Sequence, residues 1–168
     1  AKLGHIEAHV LYADCLRKGE GVQAVNDKKA LKHARIAAEN DNVVGMAYYG
    51  SMLYHGKGCN VDYETAKPFI NKAADAEVPE ALDVLGLMYY KGHGYKEDFK
   101  KAATLFEKGS SHGFVESMYH FAQCLEQGKG VDANLKKAAT LYQKAADQGH
   151  VQSMYIFATF SEQGKGIN

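Results

Sequence analysis

Between Val115 and His150 the apolar residues fall on two helical stripes separated by a glycine break. Met118, Phe121, Ala122 and Leu125 recur at offsets of three and four, the spacing of one buried helix face. Gly128-Lys129-Gly130 interrupts that pattern. Ala138, Leu141, Tyr142, Ala145 and Ala146 then make a second stripe, closed by Gly149. The arrangement returns along the whole chain: Gly-x-Gly breaks stand at Gly19/Gly21, Gly56/Gly58, Gly92/Gly94, Gly128/Gly130 and Gly164/Gly166, spaced by 37 residues once and by 36 three times. A fixed period in the range of about 20–50 residues is the mark of a solenoid, in which no unit buries its apolar face without its neighbours. The pattern therefore predicts an all-α solenoid of helix-turn-helix units, one domain over 1–168. The repeats run at about 5–41, 42–77, 78–113 and 114–149, with a partial fifth at 150–168. The residues Ala1 to His5 align with the tail of a repeat, and Gly164-Lys165-Gly166 opens a loop with no second helix after it. Both ends read as cuts through a longer array.

Within each unit the pattern is specific enough to place helix ends. The first repeat should carry helices over about Ile6–Lys18 and Asp27–Glu39. Asn26, Asp62, Asp98 and Asn134 stand where each second helix must begin, and all four are good N-cap residues. Two small positions recur in every first helix: Ala8, Gly45, Ala81, Ser117 and Ser153, then Ala13, Gly50, Gly86, Ala122 and Ala158. Glycine inside a helix costs about 1 kcal/mol against alanine, so Gly50 and Gly86 predict close approach of the paired helix. Pro79 falls in the first turn of a helix, where it is harmless. Pro68 lies well beyond the Asp62 cap and is expected to kink its helix.

Gly86-Leu87-Met88-Tyr89-Tyr90-Lys91-Gly92-His93-Gly94 and Lys137-Ala138-Ala139-Thr140-Leu141-Tyr142-Gln143-Lys144-Ala145-Ala146 carry a family resemblance. The chain resembles Sel1-like repeat proteins, of the tetratricopeptide-related class, over four repeats and half of a fifth. The period is longer than the 34 residues of the tetratricopeptide repeat, which lacks the Gly-x-Gly insertion. One departure is the lack of tryptophan, for which Phe69, Leu105 and Tyr142 stand in the corresponding neighbourhood. The resemblance implies a right-handed superhelix with first helices lining its concave side, and an adaptor role.

Composition narrows the possibilities by subtraction. Lys+Arg and Asp+Glu are 20 each, so no global basic field favours nucleic acid or an anionic membrane. No apolar run approaches the roughly 20 residues of a membrane-spanning helix. Cys15 and Cys124 occupy the repeat position held elsewhere by Met52, Met88 and Phe160, which makes them core fillers, and Cys59 sits in a loop. Three such cysteines make no disulfide framework and favour a reducing, cytoplasmic compartment.

The Gly-x-Gly sites follow helices and recur five times, so they read as turns rather than phosphate cradles. His5 and His9, four apart on one helix, have no obvious third ligand, and no metal or other cofactor is expected. His33 and His120 read as surface histidines. No nucleophile–base pair assembles, so a non-enzymatic chain is expected.

Residues facing inward on successive first helices are the candidate reading surface. Arg17, Ser51, Tyr54, Asp83, Leu87, Tyr90, Lys91, Tyr119, Gln123 and Tyr155 are its candidate partner-binding residues, with exposed tyrosines and neighbouring charge as in many peptide grooves. The leading expectation is a protein-interaction scaffold that binds a peptide or a partner domain there. One alternative is a self-associating structural array paired through exposed repeat ends, where Met154, Phe157, Ala158 and Phe160 have no second helix to cover them. A hydrolase comes last.

Overall fold

The structure, a computed structural model, describes residues 2–22 and 24–166, with side chains from residue 4 onward. Ala1, in the tail expected at the start of the chain, lies outside the described residues. Among those described there are nine α-helices and no strand: α1 Lys2–Lys18, α2 Asp27–Glu39, α3 Val43–His55, α4 Tyr63–Asp75, α5 Pro79–Lys91, α6 Phe99–Ser111, α7 Val115–Gln127, α8 Leu135–Asp147 and α9 Val151–Glu162. The chain divides into two compact units, Ala1–Val84 and Leu85–Asn168, with the division inside α5.

In the first unit α1 packs on α2, α2 on α3 and α3 on α4, and α1 also reaches α3. Its core is built from alanines at helix crossings. Ala13, Ala30 and Ala34 are wholly buried with Leu16 and Met52, and Leu31, Tyr48 and Tyr49 pack against them. In the second unit α6 packs on α7, α7 on α8 and α8 on α9. Phe106, Phe121, Tyr142 and Phe160 supply its larger buried side chains.

Local sequence fixes the helix starts. The side chains of Asn26, Asp62, Asp98 and Asn134 each accept a hydrogen bond from the backbone N–H three residues on, at 2.9–3.0 Å. This satisfies one of the amides a helix start leaves open. Pro79 opens α5. α4 runs unbroken through Pro68 to Asp75, so the proline does not end the helix. Its absent N–H removes one backbone bond, while burial of Ala66, Ile70, Ala73 and Ala74 keeps the helix seated.

The small positions work as close contacts. A Cβ added to Gly50 would lie 2.7 Å from Ile70, and one on Gly86 would lie 2.5 Å from Phe106. A large side chain on the second helix thus fills the space that glycine vacates on the first. Ala8 of α1 and Ala158 of α9 are instead exposed, whereas the other small residue of each helix, Ala13 and Ser153, is buried. Of the apolar residues expected to be uncovered on α9, Met154 is exposed and Phe157 is intermediate. Phe160 is a correction: it is buried, with its ring edge-on to Tyr142 at 5.5 Å.

The glycine loops also join repeats. The second glycine of a loop lies against the backbone that starts the second helix of the preceding repeat: Gly58 against Asp27, Gly130 against Phe99 and Gly166 against Leu135. Sequence alone shows these glycines as turn formers. Their role as a contact between repeats appears only in the fold.

Candidate functional site

Five of the ten candidate residues converge in the second unit. The last turns of α5 place Leu87, Tyr90 and Lys91 on one helix face, as offsets of three and four require. α7 brings Tyr119, His120 and Gln123 opposite, and Phe106 of α6 forms the floor. Together they line a cavity of about 210 Å³. Leu87 and Phe106 are buried, Tyr90, Tyr119, His120 and Gln123 are half-buried, and Lys91 is exposed at the rim.

The walls are held by contacts behind them. The Tyr119 hydroxyl accepts a hydrogen bond from Gln123 Nε2 at 2.9 Å. The Tyr119 ring lies 4.7 Å from His150 and 5.3 Å from His120. Burial raises the Tyr119 pKa, helped by the charge of Glu126. The Tyr90 hydroxyl donates to Gln127 Oε1 at 3.4 Å and accepts from Lys129 Nζ at 3.2 Å, while its ring packs edge-on to Phe99 at 5.2 Å. Below Tyr119, Tyr142 donates to Glu126 Oε2 at 2.8 Å, and burial followed by that hydrogen bond raises its pKa strongly. Aromatic rings fixed this way offer contact area at small entropic cost.

Phe106 and His120 are the two lining residues that the inward-facing register misses. Phe106 belongs to a second helix, and its signal was the glycine at Gly86 that makes room for it. His120 follows Tyr119 directly and packs on Phe106 at 5.0 Å. It is part of the cavity wall, not an isolated surface histidine.

In the first unit the candidates behave differently. Ser51, Tyr54 and Asp83 are buried, not presented on an open face. Tyr54 packs against His55 and Tyr63, at 4.9 and 5.3 Å. Burial, then Tyr63 and Asp83, raise its pKa far above the ordinary value. Arg17 is held by Glu80 and covers the Tyr48 ring at 4.2 Å. Tyr155, on α9 of the second unit, is 75% exposed and is not among the residues lining the cavity. A wider hollow of about 670 Å³ beside α1, lined by Tyr12, Leu16, Val22, Val25 and Lys29, includes none of the candidates.

The histidines are also regrouped. His5 and His9 share a face of α1 as expected, with ring centroids 4.9 Å apart. The fold adds His33 of α2, whose Nδ1 lies 2.6 Å from Nδ1 of His9. Among the described residues no group of three or more His, Cys, Asp or Glu is arranged to hold a metal ion. No helix among them is long and apolar enough to cross a membrane.

The profile of the family described as Sel1 repeat matches residues 6–42, 43–78, 79–114 and 115–150, four consecutive repeats. The chain belongs to the Sel1-repeat family. Members are generally protein-interaction scaffolds, and the helical repeat is not a typical enzyme fold. A Sel1 repeat protein from Oxalobacter formigenes superposes with a TM-score of 0.77 at 23% identity, covering 96% of this chain and 66% of that one. A protective antigen of uropathogenic Escherichia coli strains with an SLR fold gives 0.70 at 26% identity, over 95% of this chain and 34% of that one. Helicobacter pylori cysteine rich protein B gives 0.59 at 22% identity, over 78% and 97%. This Sel1-repeat chain thus spans about two thirds of the first of these proteins and about one third of the second. No curated protein matches it.

Proposed function

We propose that this Sel1-repeat chain is a non-catalytic interaction module that seats a peptide segment on the first-helix side of its second unit. The observation that carries this is the convergence of Leu87, Tyr90, Lys91, Tyr119 and Gln123 on one cavity with an apolar floor. A cavity of about 210 Å³ suits one apolar side chain of a ligand, and fixed tyrosines suit the flanking backbone. Lys91, exposed at the rim, supplies a positive charge for an acidic neighbour of that anchor.

Panning a random peptide display library against the intact chain tests this. Selected peptides should carry an apolar anchor beside an acidic residue. Their affinity, measured by fluorescence anisotropy, should fall by tenfold or more in Tyr90→Ala and in Tyr119→Ala, about 1.4 kcal/mol or more, with the helical circular dichroism spectrum retained. Affinity equal to wild type in both folded variants would remove the cavity from the binding surface.

A further inference from the structure

A second surface lies in the first unit, between α2 and α3. Lys28, Lys32 and Arg35 are spaced by four and three along α2 and so share one helix face. With Leu31 and Ile36 of the same helix, and Tyr49 of α3, they line a groove of about 400 Å³. The three apolar residues are half-buried and the three cations exposed. The groove has an apolar floor and a cationic rim. Its floor is anchored: Leu31 and Tyr49 pack on the buried Ala13, Leu16, Ala34 and Met52, and Tyr49 meets Phe69 edge-on at 5.0 Å.

The rim is poorly neutralised from within. Four Lys and Arg residues of α2 face two acids, Asp27 and Glu39, a surplus of two positive charges within a chain that balances overall. Asp27 sits in the first turn, where it complements the helix dipole. Glu39 pairs with Arg35 at 3.1 Å, but these side chains are 54% and 60% exposed. Such a pair contributes little and exchanges readily with another carboxylate.

We propose that this groove docks an acidic polypeptide segment, with an apolar side chain over Leu31, Ile36 and Tyr49 and carboxylates on Lys28, Lys32 and Arg35. The floor decides between classes of anion. Nucleic acid and anionic headgroups would use the cations and leave the apolar floor unfilled. A peptide uses both, and its charge complementarity would also set its direction along α2. The site is separate from the cavity of the second unit and does not depend on it.

The test uses the intact chain and two fluorescein-labelled peptides, one with glutamates flanking leucine and phenylalanine, the other its twin with lysines in place of glutamates. The glutamate peptide should bind at least tenfold more tightly than its twin by anisotropy, and should weaken several-fold between low and moderate salt. Lys28→Glu/Lys32→Glu should abolish that preference with the helical spectrum unchanged, and the lysine twin should gain affinity for this variant. Lys136→Glu, an exposed position of the other unit outside both linings, should leave binding as in wild type. No binding of the glutamate peptide, equal binding of both peptides, or loss in Lys136→Glu but not in the α2 variant would each overturn the proposal. So would binding to vesicles rich in phosphatidylserine without binding to the peptide.

Discussion

The guanidinium of Arg17 donates to both carboxylate oxygens of Glu80, at 2.9 and 3.1 Å, across 63 residues of sequence. It does so lying over the ring of Tyr48, 4.2 Å from the centroid. One residue from each of the first three repeats therefore meets at a single point, pinning α1, α3 and the start of α5 together. The two side chains are only 17% and 14% exposed. Burial alone would lower the Arg17 pKa, but the Glu80 charge and hydrogen bonds outweigh it and hold the value above the ordinary one.

Removing one partner leaves a half-buried charge unpaired, which is costlier than losing the pair. Glu80→Ala should lower the unfolding free energy by about 2–4 kcal/mol, read from the urea midpoint. Arg17→Met/Glu80→Leu should recover much of that loss. A single variant with the wild-type midpoint would show that the bidentate pair contributes nothing to the first unit.

Gly130 combines two demands that Gly128 does not. Both have positive φ, at 71° and 66°, but a Cβ on Gly130 would collide with the backbone carbonyl of Phe99, whereas one on Gly128 would sit 3.5 Å from Ala133. Alanine at either position pays for left-handed backbone, about 1–2 kcal/mol, and at Gly130 about 1–3 kcal/mol more for overpacking between repeats. Gly130→Ala should therefore show the lower urea midpoint of the two. The converse change is available at Glu77, which holds φ at +56° where Gly113 and Gly149 stand in later repeats. Glu77→Gly should raise the midpoint, or at worst leave it unchanged, because the relief of strain is offset in part by unfolded-state entropy.

His33 titrates below its ordinary value of 6.5 through burial first, then His9, Lys32 and Lys29. His150 is also lowered by burial, with His120 adding to it and Glu116 opposing. His150 Nδ1 accepts the backbone N–H of Ser153 at 3.2 Å, so its neutral form caps α9. Above about pH 6.5 these groups are neutral in both folded and unfolded chains and change nothing. As pH falls below that value, the unfolded chain takes up protons first and stability declines until the lower folded values are passed. A His9→Gln/His33→Gln variant should flatten that decline in urea midpoints measured from pH 7.5 to pH 5. An unchanged slope would mean that burial and the neighbouring His9 do not hold His33 neutral.

How much was legible in advance follows the range of each interaction. Asn134 caps α8 because the bond it makes is three residues long, and any such cap can be read from spacing. Gly86 announces a close neighbour because a helix does not keep glycine without cause, but the neighbour, Phe106, lies on another helix. Tyr54 and Tyr90 occupy one register position in successive repeats, yet Tyr54 is buried and Tyr90 is half-exposed at a cavity. Register gives the direction in which a side chain leaves its helix. What covers it depends on the bulk of residues elsewhere, here His55 and Tyr63.

The sequence by itself determined the all-helical repeat, its period, the starts of the second helices and the small positions of the helix pairs, although α1 begins at Lys2 and not near Ile6, in the stretch read as the tail of a repeat. These are local or periodic, and hydrogen-bond geometry and the 3.6-residue turn suffice to place them. Only the tertiary structure decided that Arg17 meets Glu80, that His9 meets His33, that Gly130 rests on Phe99, and that five candidates share one cavity while Ser51, Tyr54 and Asp83 are buried. Those outcomes depend on how one helix pair rotates against the next. That rotation is set by the summed volumes of side chains from several helices at once, and no single stretch of sequence contains it.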